Sequence, residues 1–253
     1  MNVVIIGTGN VATVLGRMIV GANHRVIQVV GRNPYHTDAL AKELNTKAAL
    51  INQINTSADL YIISVSDRAI AEVAGQLQLP GRLVVHTAGA MQAEVLQPIT
   101  SKYGVIYPLQ SIRKETVQLP VVPLLVDGAD ENVRNSLLSF AQTLSSSTGI
   151  AGNEQRMALH VGAVITSNFS NHLYSLAKMF CEKEHVSFDY LLPLIEETAQ
   201  RLRYHSPENM QTGPAIRKDL DTMQKHLSLL DGYPRLQEIY QVMSHSIQET
   251  IRQ

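Results

Sequence analysis

Gly7-Thr8-Gly9-Asn10-Val11-Ala12 sets two glycines and a small residue at the spacing that lets a backbone wrap around a diphosphate. The first glycine permits a tight turn, the second lets the backbone approach the phosphates, and Ala12 lets the following helix pack on the preceding strand. The chemistry is electrostatic, because free N–H groups and the positive end of a helix dipole receive the anion. Strand, turn and helix are the required context. The apolar run Val3-Val4-Ile5-Ile6 before the glycines and a helix-like stretch to about Val20 supply it. The alternative is a plain structural turn.

The next residues of interest lie at the expected end of a second strand, Gly31-Arg32-Asn33. An Asp or Glu roughly 20 residues beyond the glycines would hydrogen-bond ribose hydroxyls, whereas an arginine accommodates a 2′-phosphate. No acid stands here, and Arg32 can pair with a phosphate through its fork and stack on an adenine. The bland alternative is a solvated surface arginine. Ser64-Val65-Ser66 and Thr87 are small or hydroxylic residues at later strand ends, where backbone passes near a ribose and a nicotinamide. Asp67 reads as a helix cap. His86 is open between packing and an active-site role.

A third set occupies the second half. From Met157 through Ala177 there is no Asp, Glu, Lys or Arg, although solvent-facing helices carry a charged stripe. The stretch is therefore expected to be buried on most sides. Val161, Ile165, Phe169, Leu173, Leu176 and Phe180 recur at spacings of three or four and define an apolar face. His160, Ser167, Asn171 and Ser175 fall opposite, with Asn168 and His172 on the flank. Such neutral polar groups need partners, and these are either structural hydrogen bonds or a substrate. His160, Asn168, Asn171 and His172 are the candidate catalytic residues, with His160 as the proton donor. No metal site is expected, because His160 and His172 are too far apart on one helix to share an ion. Gln211–Asp219 offers another candidate, a helix start after Thr212-Gly213 with Pro214 in its first turn and Arg217 as a cation for a small anion. An ordinary cap is its alternative.

The elements that position these residues alternate through the first half. Strands are expected at Val26-Ile27-Gln28-Val29-Val30, Leu60-Tyr61-Ile62-Ile63, Leu83-Val84-Val85, 105–107 and 121–126, with helices over 37–44, 68–77 and 131–144. Such alternation predicts an α/β fold, a Rossmann-type doubly wound sheet. After Gly152 only helical signals continue, over 153–184, 188–204, 213–230 and 234–251. The expected domains are a cofactor-binding domain at 1–152 and an all-helical domain at 153–253 for substrate and dimerisation.

Composition narrows the classes. A formal charge of -1 over 253 residues gives no electrostatic case for nucleic acid or an anionic membrane. No run approaches the ~18 apolar residues of a membrane helix. The lone Cys181 forms no intrachain disulfide, and the N-terminus enters the first strand without a leader, so a cytoplasmic enzyme is expected.

The chain resembles reductases built from a Rossmann domain and a helical domain: pyrroline-5-carboxylate reductase, ketopantoate reductase, the beta-hydroxyacid dehydrogenases and the deazaflavin-dependent NADP oxidoreductases. It is most similar to a bacterial family described as Rossmann-like candidate NADP oxidoreductases with a C-terminal domain of unknown function. The blocks that carry the likeness are Gly7-Thr8-Gly9-Asn10-Val11-Ala12, His86-Thr87-Ala88-Gly89, Tyr107-Pro108-Leu109-Gln110, Asn168-Phe169-Ser170-Asn171-His172-Leu173-Tyr174 and Gln211-Thr212-Gly213-Pro214-Ala215. The resemblance implies NADP as cofactor, hydride transfer to or from a small carbonyl, imine or hydroxy compound, and a homodimer. It also implies a catalytic lysine early in the first long helix of the second domain. Arg156-Met157-Ala158-Leu159-His160-Val161-Gly162-Ala163-Val164 has none, which leaves His160 for the proton. The missing lysine fits one alternative, a noncatalytic NADP(H) sensor; a deazaflavin-dependent oxidoreductase is a third reading.

Overall fold

A computed structural model of the chain describes residues 1–116 and 120–250. Two compact units emerge, Met1–Phe169 and Ser170–Gln253. The first is built on eight strands: β1 (Asn2–Ile6), β2 (Arg25–Val30), β3 (Lys47–Ala49), β4 (Leu60–Ile63), β5 (Leu83–His86), β6 (Lys102–Pro108), β7 (Leu124–Gly128) and β8 (Thr148–Ile150). They lie in the order β3-β2-β1-β4-β5-β6-β7-β8. Among the described residues, only β6 and β7 pair antiparallel. The first six follow the doubly wound order, which reverses between β1 and β4 and opens a crevice at their carboxyl ends.

Burial on both faces explains why β1 reads as an unbroken apolar run. Val3 and Ile5 point into one core layer, which α1 (Asn10–Gly21) covers with Ala12, Leu15 and Ile19. Val4 and Ile6 point into the other, which α3 (Asp67–Gly75) covers with Ile70 and Ala74. The remaining helices of the sheet region are α2 (Pro34–Glu43) and α4 (Glu131–Leu144), the latter capped where the Asp130 carboxylate accepts from the Val133 N–H at 2.8 Å.

Two strands were not legible. β3 and β8 are three-residue edge strands, paired on one side only, so neither carries a long apolar signature. The strand expected at 121–126 instead occupies Leu124–Gly128. Pro120 and Pro123 have no N–H to give a ladder, which delays its start.

After β8 the described elements are helical. α5 (Asn153–Ala163) leads into a π-helical turn, Val164–Phe169, and then α6 (Ser170–Lys183). In the second unit α7 (Leu192–Arg201) follows a short 3₁₀ turn at Phe188–Leu191, and α8 (Leu220–Leu229) and α9 (Pro234–Thr250) complete the described chain. Ile251, the expected last residue of that helix, lies outside the described residues. The helix expected over 213–230 starts late. Residues 214–218 form turns, Gly213 and Lys218 have positive φ (104° and 54°), and α8 begins after Asp219, whose carboxylate accepts from the Thr222 N–H at 3.1 Å. The anion-binding helix start at Pro214 is therefore absent, because left-handed residues at both ends of the segment interrupt helical pairing. Among the described residues, no helix is long and apolar enough to cross a membrane.

Candidate active site

The glycine turn shapes a cleft of about 930 Å³ at the carboxyl ends of the strands. Gly7 has φ +128°, and a Cβ there would collide with the Ser64 carbonyl, so β1 and β4 approach closely only with glycine. Gly9 is the N-cap of α1, and no atom lies within 4 Å of where its Cβ would stand. That open space is part of the cleft. Gly7, Thr8, Gly9, Asn10, Val11, Gly31, Arg32, Asn33, Ser64, Val65, Ser66 and Thr87 line it. Ala12, also read as a cofactor residue, does not. It is fully buried between α1 and the sheet, because the packing of the helix on the sheet consumes its surface.

Local structure sets the remaining walls. The Asn33 side chain caps α2 by accepting from the His36 N–H at 3.3 Å. Arg32 is exposed, with no ion-pair partner among the described residues. Asp67 does not cap α3. Ser66 holds the N-cap position, and Asp67 is the first helical residue, where the helix dipole favours a carboxylate. Sequence reasoning missed Leu50, Ile51 and Asn52, which also line the cleft. They follow the short edge strand β3, and without that strand nothing marks them as near the crevice.

His86 ends β5 with no exposed surface. Its Nε2 donates to the Gln92 carbonyl and its Nδ1 accepts from the Ala88 N–H, both at 3.2 Å. Burial, with a smaller contribution from the Arg156 charge, pulls its pKa down to about 4 against the opposing pull of the Gln92 carbonyl and Glu94. His86 is thus a neutral clamp on the loop that carries Thr87 and Ala88 into the cleft, which decides its open role for packing.

Beyond Ala88, the loop meets the two rings that follow the cleft. Tyr107, near the carboxyl end of β6, sets its hydroxyl 2.9 Å from Nδ1 of His160 on α5. The rings meet edge to face, with centroids 6.0 Å apart at 71°. A Cβ on Gly89 would stand 2.9 Å from both Tyr107 Cζ and His160 Nδ1, so the glycine makes room for the pair. Burial, then the Asp67 carboxylate, push the Tyr107 phenol up, and Arg156 partly offsets them.

Comparison with known proteins places this architecture. Residues 1–110 match the Rossmann-like domain and residues 122–247 match a domain of unknown function, DUF2520. A Bacteroides fragilis protein described as a candidate NADP oxidoreductase is 36% identical, covers 98% of each chain and superposes with a TM-score of 0.89. The chain belongs to the Rossmann-like, DUF2520 family. More remote structures share the fold alone. They include an imine reductase from Myxococcus stipitatus in complex with NADP+ (16% identity, 100% of this chain and 94% of the other, TM-score 0.67). A reductive aminase from Aspergillus terreus in complex with cyclohexanone and allyl amine is another (16%, 99% and 93%, TM-score 0.72). No curated protein matches the chain in sequence.

In this family member, Arg156 does not stand in for the missing lysine. It is fully buried, its Nη2 donating to the Met91 carbonyl (2.6 Å) and Asn153 Oδ1 (2.7 Å), its Nη1 to the Ala151 carbonyl (3.4 Å). Asp127 Oδ2 lies 3.7 Å from Nη1. Burial pulls the guanidinium down while Asp127, Glu94 and Tyr107 hold it charged. Its work is to pin α5 beside the sheet, one turn before His160.

The other polar helix residues are less enclosed than their pattern suggested. Asn168 is exposed on the π-helical turn, and Asn171 and His172 are exposed on α6 in the second unit. The π-helical turn closes its hydrogen bonds over five residues instead of four, so a face drawn at 3.6 residues per turn does not run through it. Nor do the described residues cover the first half of the apolar face: Val161, Ile165 and Phe169 are 51%, 54% and 58% exposed. The expectation of burial on most sides is corrected accordingly. Lack of charge marked a face that needs covering, not one the described residues cover.

Proposed function

We propose that the protein is an NADP-dependent oxidoreductase that moves hydride between nicotinamide and a small carbonyl, imine or hydroxy compound. The observation that carries this is the cleft, in which the open Cβ position of Gly9 adjoins the α1 N-terminus and Arg32 stands with no acid beside it. Residues 7–11 would hold the pyrophosphate on free N–H groups, Arg32 and Asn33 the ribose phosphate, and Ser64-Val65-Ser66 and Thr87 the ribose and nicotinamide. The bound cofactor supplies the hydride. The description of the Bacteroides fragilis relative and the NADP+ in the imine reductase complex support the choice of cofactor. A carbonyl or imine acceptor fits the ketone and amine held by the reductive aminase.

In this reading residues 1–152 carry the cofactor and residues 153–253 serve the acceptor and a partner subunit. His160 handles the proton, with Asn168 orienting the acceptor without adding charge. The exposed Val161 and Phe169 are covered by a second copy, in a homodimer. A noncatalytic NADP(H) sensor is the second reading, favoured by the absence of lysine from α5.

Fluorescence titration tests the assignment. NADPH is expected to bind at least about tenfold more tightly than NADH, about 1.4 kcal/mol, and Arg32→Asp to erase the preference. Equal affinities in the wild type, or an unchanged preference in the variant, would count against Arg32 as the phosphate ligand.

A further inference from the structure

The hydroxyl of Tyr107 has a single side-chain hydrogen bond, to Nδ1 of His160, and Nε2 of the same ring has no partner among the described residues. The imidazole is therefore committed on one nitrogen and free on the other. Three elements converge to produce this: β6 brings Tyr107, α5 brings His160, and the turn after β5 passes through Gly89, where a Cβ would touch both rings. The two preceding residues, Thr87 and Ala88, line the cleft. The pair thus adjoins the place where Thr87 would meet the nicotinamide.

Resting on the proposed hydride-transfer reading, we propose that Tyr107 is the positioning residue for His160: its oxygen accepts the Nδ1–H, so that proton delivery leaves from Nε2.

A bound reduced nicotinamide would supply the hydride to the acceptor carbon and be oxidised, while the C=O or C=N π bond is reduced and breaks. The heteroatom takes the proton from Nε2 of the imidazolium, and the N–H bond pair stays on the ring. The neutral ring retains its Nδ1–H on the Tyr107 oxygen. Tyr107 remains a phenol throughout, consistent with burial and Asp67 disfavouring its phenolate. An uncharged acceptor suits this duty, because a carboxylate in its place would hold the imidazolium and oppose release of the proton. The same contact supports the reverse step, in which Nε2 takes a proton from a hydroxy compound.

Tyr107→Phe keeps the ring that packs in the cluster with Ala93 and Val105 and removes only the oxygen. The first readout needs no turnover: nitrogen NMR of histidine-labelled protein without cofactor. Wild-type neutral His160 is expected as the Nδ1–H tautomer, and Tyr107→Phe as a mixture of tautomers. The second readout is NADPH oxidation with cyclohexanone and allyl amine. Here kcat should fall at least about tenfold in Tyr107→Phe, with NADPH affinity and KM changed less than about twofold. A neutral His160 carrying its proton on Nε2, or a Tyr107→Phe enzyme with wild-type kcat, overturns the role given to Tyr107. A wild-type protein that fails to bind NADPH overturns the cofactor reading instead. One that binds NADPH but does not consume it with this pair overturns the assignment of that carbonyl and amine as acceptor, and the tautomer still decides Tyr107.

Discussion

Acidification should strip stability from this protein through a single buried side chain, His86. Both ring nitrogens are engaged, one as donor to the Gln92 carbonyl and one as acceptor from the Ala88 N–H. A second proton would turn Nδ1 toward an N–H that it could no longer accept from, inside a site with no exposed surface. The folded-state pKa is about 4, against 6.5 for an unburied histidine. Between those values the unfolded chain binds more protons than the folded one, so stability rises with pH across the window. Destabilisation begins as pH falls below 6.5 and is complete once pH has passed below about 4. The full difference of about 2.5 units is worth roughly 3 kcal/mol, of which roughly 2 kcal/mol is already lost at about pH 5. The assay is guanidinium unfolding of the wild type and His86→Gln at about pH 7.5 and about pH 5, comparing the gap between the two proteins. His24, whose pKa is also lowered by burial and by the N-terminal charge, contributes to both proteins and cancels. The variant should be the weaker at the higher pH, having lost a fitted pair of hydrogen bonds, and the gap should narrow by roughly 2 kcal/mol at the lower one. A gap that stays constant to within about 0.5 kcal/mol would show that His86 does not titrate as a buried neutral clamp.

Three further expectations concern the site and its partner. Gly9→Val should abolish NADPH binding while leaving the fold intact, since the new side chain enters open cleft space; near-normal affinity would move the pyrophosphate elsewhere. His160→Gln should lower turnover with cyclohexanone and allyl amine by roughly 10²–10⁴-fold at nearly unchanged NADPH affinity, and ordinary turnover would remove His160 from the proton step. Light scattering at micromolar concentration should report a dimer, with Val161→Asp shifting it toward monomer; a monomeric wild type would leave the exposed α5 face without the proposed cover.

How legible the protein was follows from the range of each interaction. The strand β4 and the helix α4 were readable to the residue because their signals are local: a four-residue apolar run in one, and an Asp130 cap with a 3.6-residue apolar repeat in the other. The glycine turn was readable for the same reason, since it lies between two such elements. Edge strands β3 and β8 escaped because pairing with a neighbour defines them more than their own side chains do, and the cleft residues after β3 escaped with them. Spacing also misjudged the helical stretch after Gly152. One π-helical turn breaks the phase on which its faces were drawn, and a run without charges marks only a surface that must be covered, not what covers it.

By itself, then, the sequence determined the longer strands and helices of the first half, the glycine turn and the absence of an acid beside Arg32, all properties of contiguous residues. Only the tertiary structure decided what each titratable ring does. His86 and His160 are equally bare as letters in a chain. One became a buried clamp because the loop after β5 folds back to give it a donor and an acceptor, and the other met Tyr107, 53 positions earlier, because β6 and α5 converge at Gly89. A proton's location depends on neighbours in space, and folding chooses those neighbours from residues far apart along the chain.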